Sequence, residues 1–450
     1  MKGNKWMARQ TAAITLMTAA ATLAPTTLRA QTWTLRQCID RAVEYNIGIQ
    51  QKDRAVKRQL LALEDATNRR LPNLDAGVSQ NFSFGRGLTS SNTYTNTSTG
   101  TTSFSLGTSV PVFTGMNIPN TIKLNKLNLE AATADLEKAR NDVSMQVAQA
   151  YVQILFDMEI ADMAHRNVAI DSMQTARMEA LMAAGKVGEA EVAQQRAALG
   201  QSRLSETQAI NNLKTSLLTL SQLLELPTAV GFSVAAPSVE TISPEASFSV
   251  SPDVVFSEAI AVKPEVRAEQ LRLSGTERSI SIARSALYPQ LSLSAGLGTN
   301  YYKTSGVPAE GFSEQLKNNF GQSIGINLNI PIFNRFQTRN SIRAAKIDRD
   351  IQQMQLDNVK KTLYKEIQQV CCNVDAAVSK YAGCKAAAES SDAAFRLTTA
   401  KYENGMANIT EFNEAKFNWL KAESDLVQAR YEYLYQRSLL DFYRGKPLDF

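Results

Sequence analysis

The chain has 450 residues, with 44% hydrophobic and 20% charged side chains and a formal charge of +5. That charge is concentrated at the N-terminus. Without residues 1–30, which carry Lys2, Lys5, Arg9 and Arg29 and no acid, it falls to +1. A near-neutral chain gives no electrostatic basis for binding nucleic acid, which requires Lys and Arg to neutralise phosphates.

Residues 1–30 read as an export signal: the basic residues precede an apolar, alanine-rich run from Thr11 to Leu23, and Leu28-Arg29-Ala30 offers a small-residue cleavage site. The run is shorter than the ~20 residues a spanning helix needs, and no later run is long enough either. A membrane crossing by this chain would therefore use strands. No lipid-attachment cysteine follows the apolar run, so a lipoprotein anchor is disfavoured.

From Gln31 the chain reads as two copies of one large unit. Leu71-Pro72-Asn73-Leu74 returns as Tyr288-Pro289-Gln290-Leu291, and Val110-Pro111-Val112-Phe113 as Ile330-Pro331-Ile332-Phe333; Gly185 returns as Gly405 and Pro227 as Pro447. The first unit covers 31–227 and the second 252–450. Between them 228–251, rich in Ser, Pro and Val, reads as a linker or small irregular patch.

Each unit is expected to begin with a helix of roughly 35 residues, followed by two strands and a very long helix of roughly 65 to 70; a Gly-containing turn then leads into a last helix of roughly 38. At ~1.5 Å per residue the long helix would reach about 100 Å, deeper than an ordinary globular core, and without internal breakers it predicts coiled-coil packing. Ile122, Leu127, Leu136, Val143, Val147, Tyr151 and Ile154 recur at helical spacing between polar residues.

The strands are expected at about 73–87, 102–113, 290–302 and 321–333. In the first, Leu74, Ala76, Val78, Phe82 and Phe84 alternate with Asp75, Gly77, Ser79, Asn81 and Ser83. The others set Phe104, Leu106 and Val110, then Leu291, Leu293 and Leu297, then Ile324, Ile326 and Leu328, against Ser, Gly and Asn. One apolar and one small polar face over about 9–11 residues suits a strand between lipid and a water-filled lumen. Thr89–Thr101, almost all Ser, Thr, Asn and Gly, reads as a solvated loop. Four strands cannot close around water, and their edges would stay unpaired in lipid, so the chain must oligomerise if it forms a barrel.

No enzymatic signature accompanies this pattern. The one histidine, His165, has no second His for a metal site, and neither a GxSxG elbow nor a phosphate loop occurs. Asp157, Glu159 and Asp162 read as a solvated helix face. Cys38, Cys371, Cys372 and Cys384 show no CxxC or Cys/His spacing and read as buried or tolerated thiols, with a disulfide from Cys384 left open. No cofactor or metal is expected.

The duplicated order, with its Pro-Phe strand exits and Lys401-Tyr402-Glu403-Asn404-Gly405, resembles the outer membrane efflux protein family of TolC-like channels over essentially the whole of Gln31–Leu448. The resemblance implies a mainly α chain with a transmembrane β-barrel. In it a homotrimer pools twelve strands into one barrel in outer-membrane lipid, continued by an α-helical coiled-coil barrel through the periplasm. It implies docking to a periplasmic adaptor and an inner-membrane pump, for efflux or type I secretion. The turns Gly185-Lys186-Val187-Gly188 and Gly405-Met406-Ala407-Asn408 would be adaptor-contact tips, and Glu411, Glu414 and Glu191 an acidic constriction ring, with Glu where the family often has Asp. From the residues alone, Glu411 and Glu414 share a helix face and also suit the positive start of a helix near Asn408. A soluble exported coiled-coil scaffold or adaptor remains the alternative reading.

Overall fold

The computed structural model describes residues 31–88, 92–228, 231–236 and 251–448. The expected export signal, 1–30, lies outside them.

The chain enters through a three-residue strand β1 (Gln31–Trp33) and helix α1 (Leu35–Tyr45), capped by Thr34 and Gln37 in a reciprocal box. Helix α2 (Ile47–Asn68) follows. The single first helix expected here is broken at Asn46, whose side chain accepts hydrogen bonds from the N–H groups of Gly48 (2.9 Å) and Ile49 (3.3 Å) and so starts a new helix.

Strands β2 (Asn73–Leu88) and β3 (Tyr94–Phe113) form a long hairpin. The stretch read as a loop from Thr89 is mostly strand, paired through Leu88↔Tyr94 and every rung below; residues 89–91 lie outside the described set. Its β-branched threonines fit a pleated ladder, and pairing overrides their polarity.

At Gly115 the chain turns into α3 (Asn117–Ala183), with φ of +62° at Gly115 and +68° at Met116. A Cβ on Gly115 would lie 2.5 Å from the Ser285 carbonyl oxygen, so a side chain there is excluded. Helix α3 has 67 residues, about 100 Å of rise. It runs into α4 (Glu189–Leu223) through a short turn.

Next comes β4 (Phe232–Val234), within the segment read as an irregular linker. It pairs in parallel with β1, a contact between distant segments that no local pattern announces. Residues 229–230 and 237–250 of that segment lie outside the described residues.

The second half runs α5 (Pro252–Val262), α6 (Pro264–Ser285), β5 (Gln290–Thr304), α7 (Phe312–Asn318), β6 (Gly321–Asn329), α8 (Gln337–Glu403) and α9 (Ile409–Tyr443). Its first helix is also split, at Lys263-Pro264, because proline lacks the N–H that would continue the ladder. Helix α7 was not expected. Strand β6 stops at Asn329, short of Pro331, which cannot donate to a ladder.

The strands form one antiparallel sheet in the order β2-β3-β5-β6. Register places Ala76, Leu106 and Leu297 in one row and Val110, Leu293 and Ile326 in another, so the apolar residues of all four strands share a face. That face is bare within one chain: Val78 is 71% exposed, Phe84 77% and Ile324 84%. The sheet is open, with β2 and β6 as free edges.

Among the described residues, two large cores and a small one at Ala377 and Tyr433 grip the long helices near their middles. One large core gathers Cys38, Val147, Tyr151, Ile154, Leu220 and Tyr431 beneath the β1–β4 pair; the other packs Val255, Val266, Leu363, Ile367 and Leu440. The Tyr151 hydroxyl pins the first by donating to the carbonyls of Ala235 (2.6 Å) and Trp33 (3.2 Å). Among the described residues no helix is long and apolar enough to cross a membrane, which says nothing of the sheet.

Candidate functional site at the hairpin tips

Far from the sheet, α3–α4 and α8–α9 each close in a tight turn. Gly185 and Gly405 take φ of +72° and +73°, where any Cβ is strained. The N–H groups of Lys186 and Met406 reach back to the carbonyls of Leu181 (2.9 Å) and Lys401 (2.8 Å), closing the ends of α3 and α8. Lys186, Gly188, Met406 and Asn408 are exposed, with Val187 and Ala407 half-buried between them.

Helix α9 starts under Asn408. Its side-chain oxygen accepts from the Glu411 N–H (2.8 Å), and its amide nitrogen donates to Glu411 Oε1 (3.2 Å). Glu411 therefore does serve the positive helix start. Together with Glu414 it also lines a groove of about 410 Å³ between α8 and α9, faced by Lys401, Ser390 and Thr398. Both carboxylates are exposed on that shared face.

Glu191 is not part of this groove. It sits in the first turn of α4, and its charge is felt at Tyr402 on α8. Burial pushes the Tyr402 phenol up; the nearby Arg177 guanidinium lowers it and Glu191 raises it. Within one chain the three acids are split between the hairpins, two on one and one on the other.

The two hairpins are fastened by side chains that periodicity did not single out. Arg177 donates to the Glu403 carbonyl (3.3 Å) and lies over the Tyr402 ring, and the Tyr402 hydroxyl contacts Met178 Sδ (3.2 Å). Further from the tip, Lys416 of α9 pairs with Asp171 of α3, which also receives the Ser202 hydroxyl and the Gln195 amide (3.4 Å) from α4. The Asp171 and Lys416 side chains are 0% and 8% exposed, so a charged pair is sealed among three helices.

Inside the second hairpin Phe395 stacks on Trp419 at 4.9 Å and Tyr402 on Phe412 at 5.0 Å. These aromatics lie seven apart on each helix, 395 to 402 and 412 to 419, a heptad signal that marks this seam in the sequence. Asp171 and Lys416 carry no such mark.

The acids read as a solvated face near His165 need correction. Asp157 is buried and receives Ser216 Oγ (2.5 Å) and Gln153 Nε2 (3.1 Å), while Glu159 accepts the Tyr431 hydroxyl (2.6 Å) and faces Arg430 (3.5 Å). Of the three, Asp162 is solvated, beside Arg166; His165 itself meets Glu206 at 2.7 Å. Asp157 and the half-buried Glu159 meet neighbouring helices because α3 is packed by both α4 and α9. All four cysteines are free, Cys38 and Cys371 buried and Cys372 exposed.

Comparison with known proteins places this architecture. The sequence model described as outer membrane efflux protein matches residues 41–225 and 255–446. Protein CyaE of Bordetella pertussis is 26% identical over 323 residues, 65% of this chain and 61% of CyaE. The pyoverdine export outer membrane protein OpmQ of Pseudomonas aeruginosa is 24% identical over 308 residues, 67% of this chain and 61% of its own. The chain thus spans about three fifths of these relatives. Among solved structures, the CmeC outer membrane channel of Campylobacter jejuni superposes with a TM-score of 0.77 at 19% identity, over 92% of this chain and 86% of CmeC. The open state of the MtrE channel of Neisseria gonorrhoeae gives 0.72 at 17%, over 91% and 88%. At these identities the structures establish a shared fold.

Proposed function

Because this chain belongs to the outer membrane efflux protein family, we propose that it is the passive exit duct of a tripartite efflux or type I secretion system, a channel rather than an enzyme. The observation that carries this reading is the four-stranded sheet with a bare apolar face and two free edges, continued by helices of 67 residues. Lipid satisfies the apolar face, and edge pairing between copies satisfies the backbone, which hydrocarbon cannot solvate. Three copies supply twelve strands and continue below as a helical tunnel in the periplasm.

In this reading the chain is a tandem duplication, supported by paired elements of equal length: α3 and α8 of 67 residues, α4 and α9 of 35. The tips at 185–188 and 405–408 meet the periplasmic adaptor, whose partner is an inner-membrane pump. The exposed Glu411 and Glu414 groove, repeated about a threefold axis, gives a ring of carboxylates that favours cations. Glu191, in the first turn of α4 on the other hairpin, is the third acid of that ring.

Single-channel recording in a planar bilayer tests the channel and the ring together. The expected result is discrete cation-preferring steps from a trimer, with Glu411→Gln/Glu414→Gln lowering cation preference and raising conductance. Unchanged selectivity in that variant removes the ring and leaves the channel. A monodisperse, urea-soluble species with no conductance would instead favour the coiled-coil scaffold.

A further inference from the structure

Strand β6 pairs with β5 only from Gln290 to Gly298. Beyond Gly298 the same edge of β5 is taken by α7. The Tyr302 N–H donates to Gln315 Oε1 (3.0 Å), and Gln315 Nε2 donates back to the Tyr302 carbonyl (3.1 Å) and to that of Glu310 (3.0 Å). One side-chain amide thus copies the paired N–H and C=O of a strand residue. Asn319 Nδ2 donates to the Asn300 carbonyl (2.7 Å), and Thr299 Oγ1 to that of Leu316 (2.6 Å). Gln315 is only 4% exposed, and Phe312 leans over the sheet against Tyr301 (5.2 Å) and Phe104 (6.4 Å).

The two outer strands differ in length. β2 has 16 residues, all paired on its inner side with β3, whereas β6 has nine. If β6 of one copy pairs with β2 of the next, at least seven residues of β2 find no β6 partner. Helix α7 lies in line with β6, so a strand arriving on β6 continues onto α7.

We propose that α7 is a seam element whose occupant is the outer part of β2, Phe82–Leu88, of a second copy of this chain. The proposal rests on the barrel reading above. Phe82, Phe84 and Leu88 are 65%, 77% and 56% exposed within one chain, as are Phe312 and Phe320 at 51% and 52%. Ser313 and Lys317, two positions either side of Gln315 and therefore roughly opposite it at ~100° per residue, are exposed and turn toward the incoming strand. A helix in that place also stops β2 from sliding along β6, since a slip by one residue would turn its apolar face inward.

Site-specific photo-crosslinking of the full-length protein in its own membrane tests this. A photoreactive residue replacing Lys317 is expected to give inter-chain adducts mapping to Phe82–Leu88, lost in a Gln315→Leu background. The same probe replacing Ile326 on β6 should map to the β2 residues nearer Asn73. Adducts from 326 with only lipid or intrachain products from 317 would overturn the seam and leave the barrel standing. Inter-chain adducts from neither position, with a monomer on sizing, would overturn the barrel reading and the seam with it.

Discussion

Replacing Lys416 with methionine removes the cation from a carboxylate that no solvent reaches. Asp171 is 0% exposed and keeps only Ser202 Oγ and the longer 3.4 Å contact from Gln195. Stripping one member of a buried pair costs about 3–5 kcal/mol, and the two remaining donors put this case near about 3. The loss falls locally, on the docking of α9 against α3 and α4, because the two large cores near mid-helix do not depend on it. Hydrogen exchange of the backbone amides around 409–420 in the detergent-extracted protein is the direct assay. About 3 kcal/mol multiplies the open population by more than about a hundredfold. Asp171→Asn/Lys416→Met, which leaves no orphan charge, should recover most of the protection. If Lys416→Met exchanges like the parent, or the double variant is as loose as the single, then the pair does not hold the hairpins and the argument from burial fails.

Three further outcomes concern the helical part and its turns. Burial pushes the Cys38 thiol from 9.0 up to about 12, so a maleimide at pH 8 should label the exposed Cys372 and leave Cys38 untouched until the chain unfolds. Because the folded value lies above the unfolded one, Cys38 contributes stability that is fully present below pH 9 and is lost as pH climbs toward 12. The phenol of Tyr151, raised chiefly by burial from 10.0 to about 12, acts with the same sign, so the unfolding midpoint should fall across that window and fall less in Cys38→Ala. At the turns, Gly405→Ala meets open space and loses about 1–2 kcal/mol of backbone energy alone, whereas Gly115→Ala also drives a methyl to 2.5 Å from the Ser285 carbonyl oxygen; calorimetry should rank Gly115→Ala clearly below Gly405→Ala.

What could be read in advance followed from residues acting on their own neighbourhood. Glycine at 185 and 405, with unbroken helical spacing before it, marks where the long helices turn, and alternation in Leu74–Phe84 or Ile324–Leu328 marks a two-faced strand. What escaped depends on partners distant in sequence. Phe232–Val234 is a strand because Gln31–Trp33 lies beside it, and the threonines after Tyr94 extend a strand because Phe82–Leu88 pair with them. The split at Lys263-Pro264 carried its own signal in the proline. The split at Asn46 carried only a good cap inside an otherwise helical stretch.

The misreading of Asp157 and Glu159 has a different cause, and it bears on the candidate site. In an ordinary amphipathic helix one stripe is apolar and the other wet, so a carboxylate off the stripe is taken to be solvated. Helix α3 has no single inside: it packs against α2, α6, α4 and α9, with α2 (Gln59 to Asn125) and α6 (Gly275 against Leu124) meeting the same N-terminal stretch. Polar residues then become the contacts between helices, as Asp157 does with Ser216, Glu159 with Tyr431, and Asp171 with Lys416. Where the carboxylate is buried, as at Asp157 and Asp171, such a contact fixes register more sharply than an apolar one, since displacement leaves an unpaired group rather than another apolar neighbour. Two helical hairpins packed side by side therefore draw much of their register from such pairs. In this chain they run along α3 at 157, 159 and 171, between the mid-helix core and the tips.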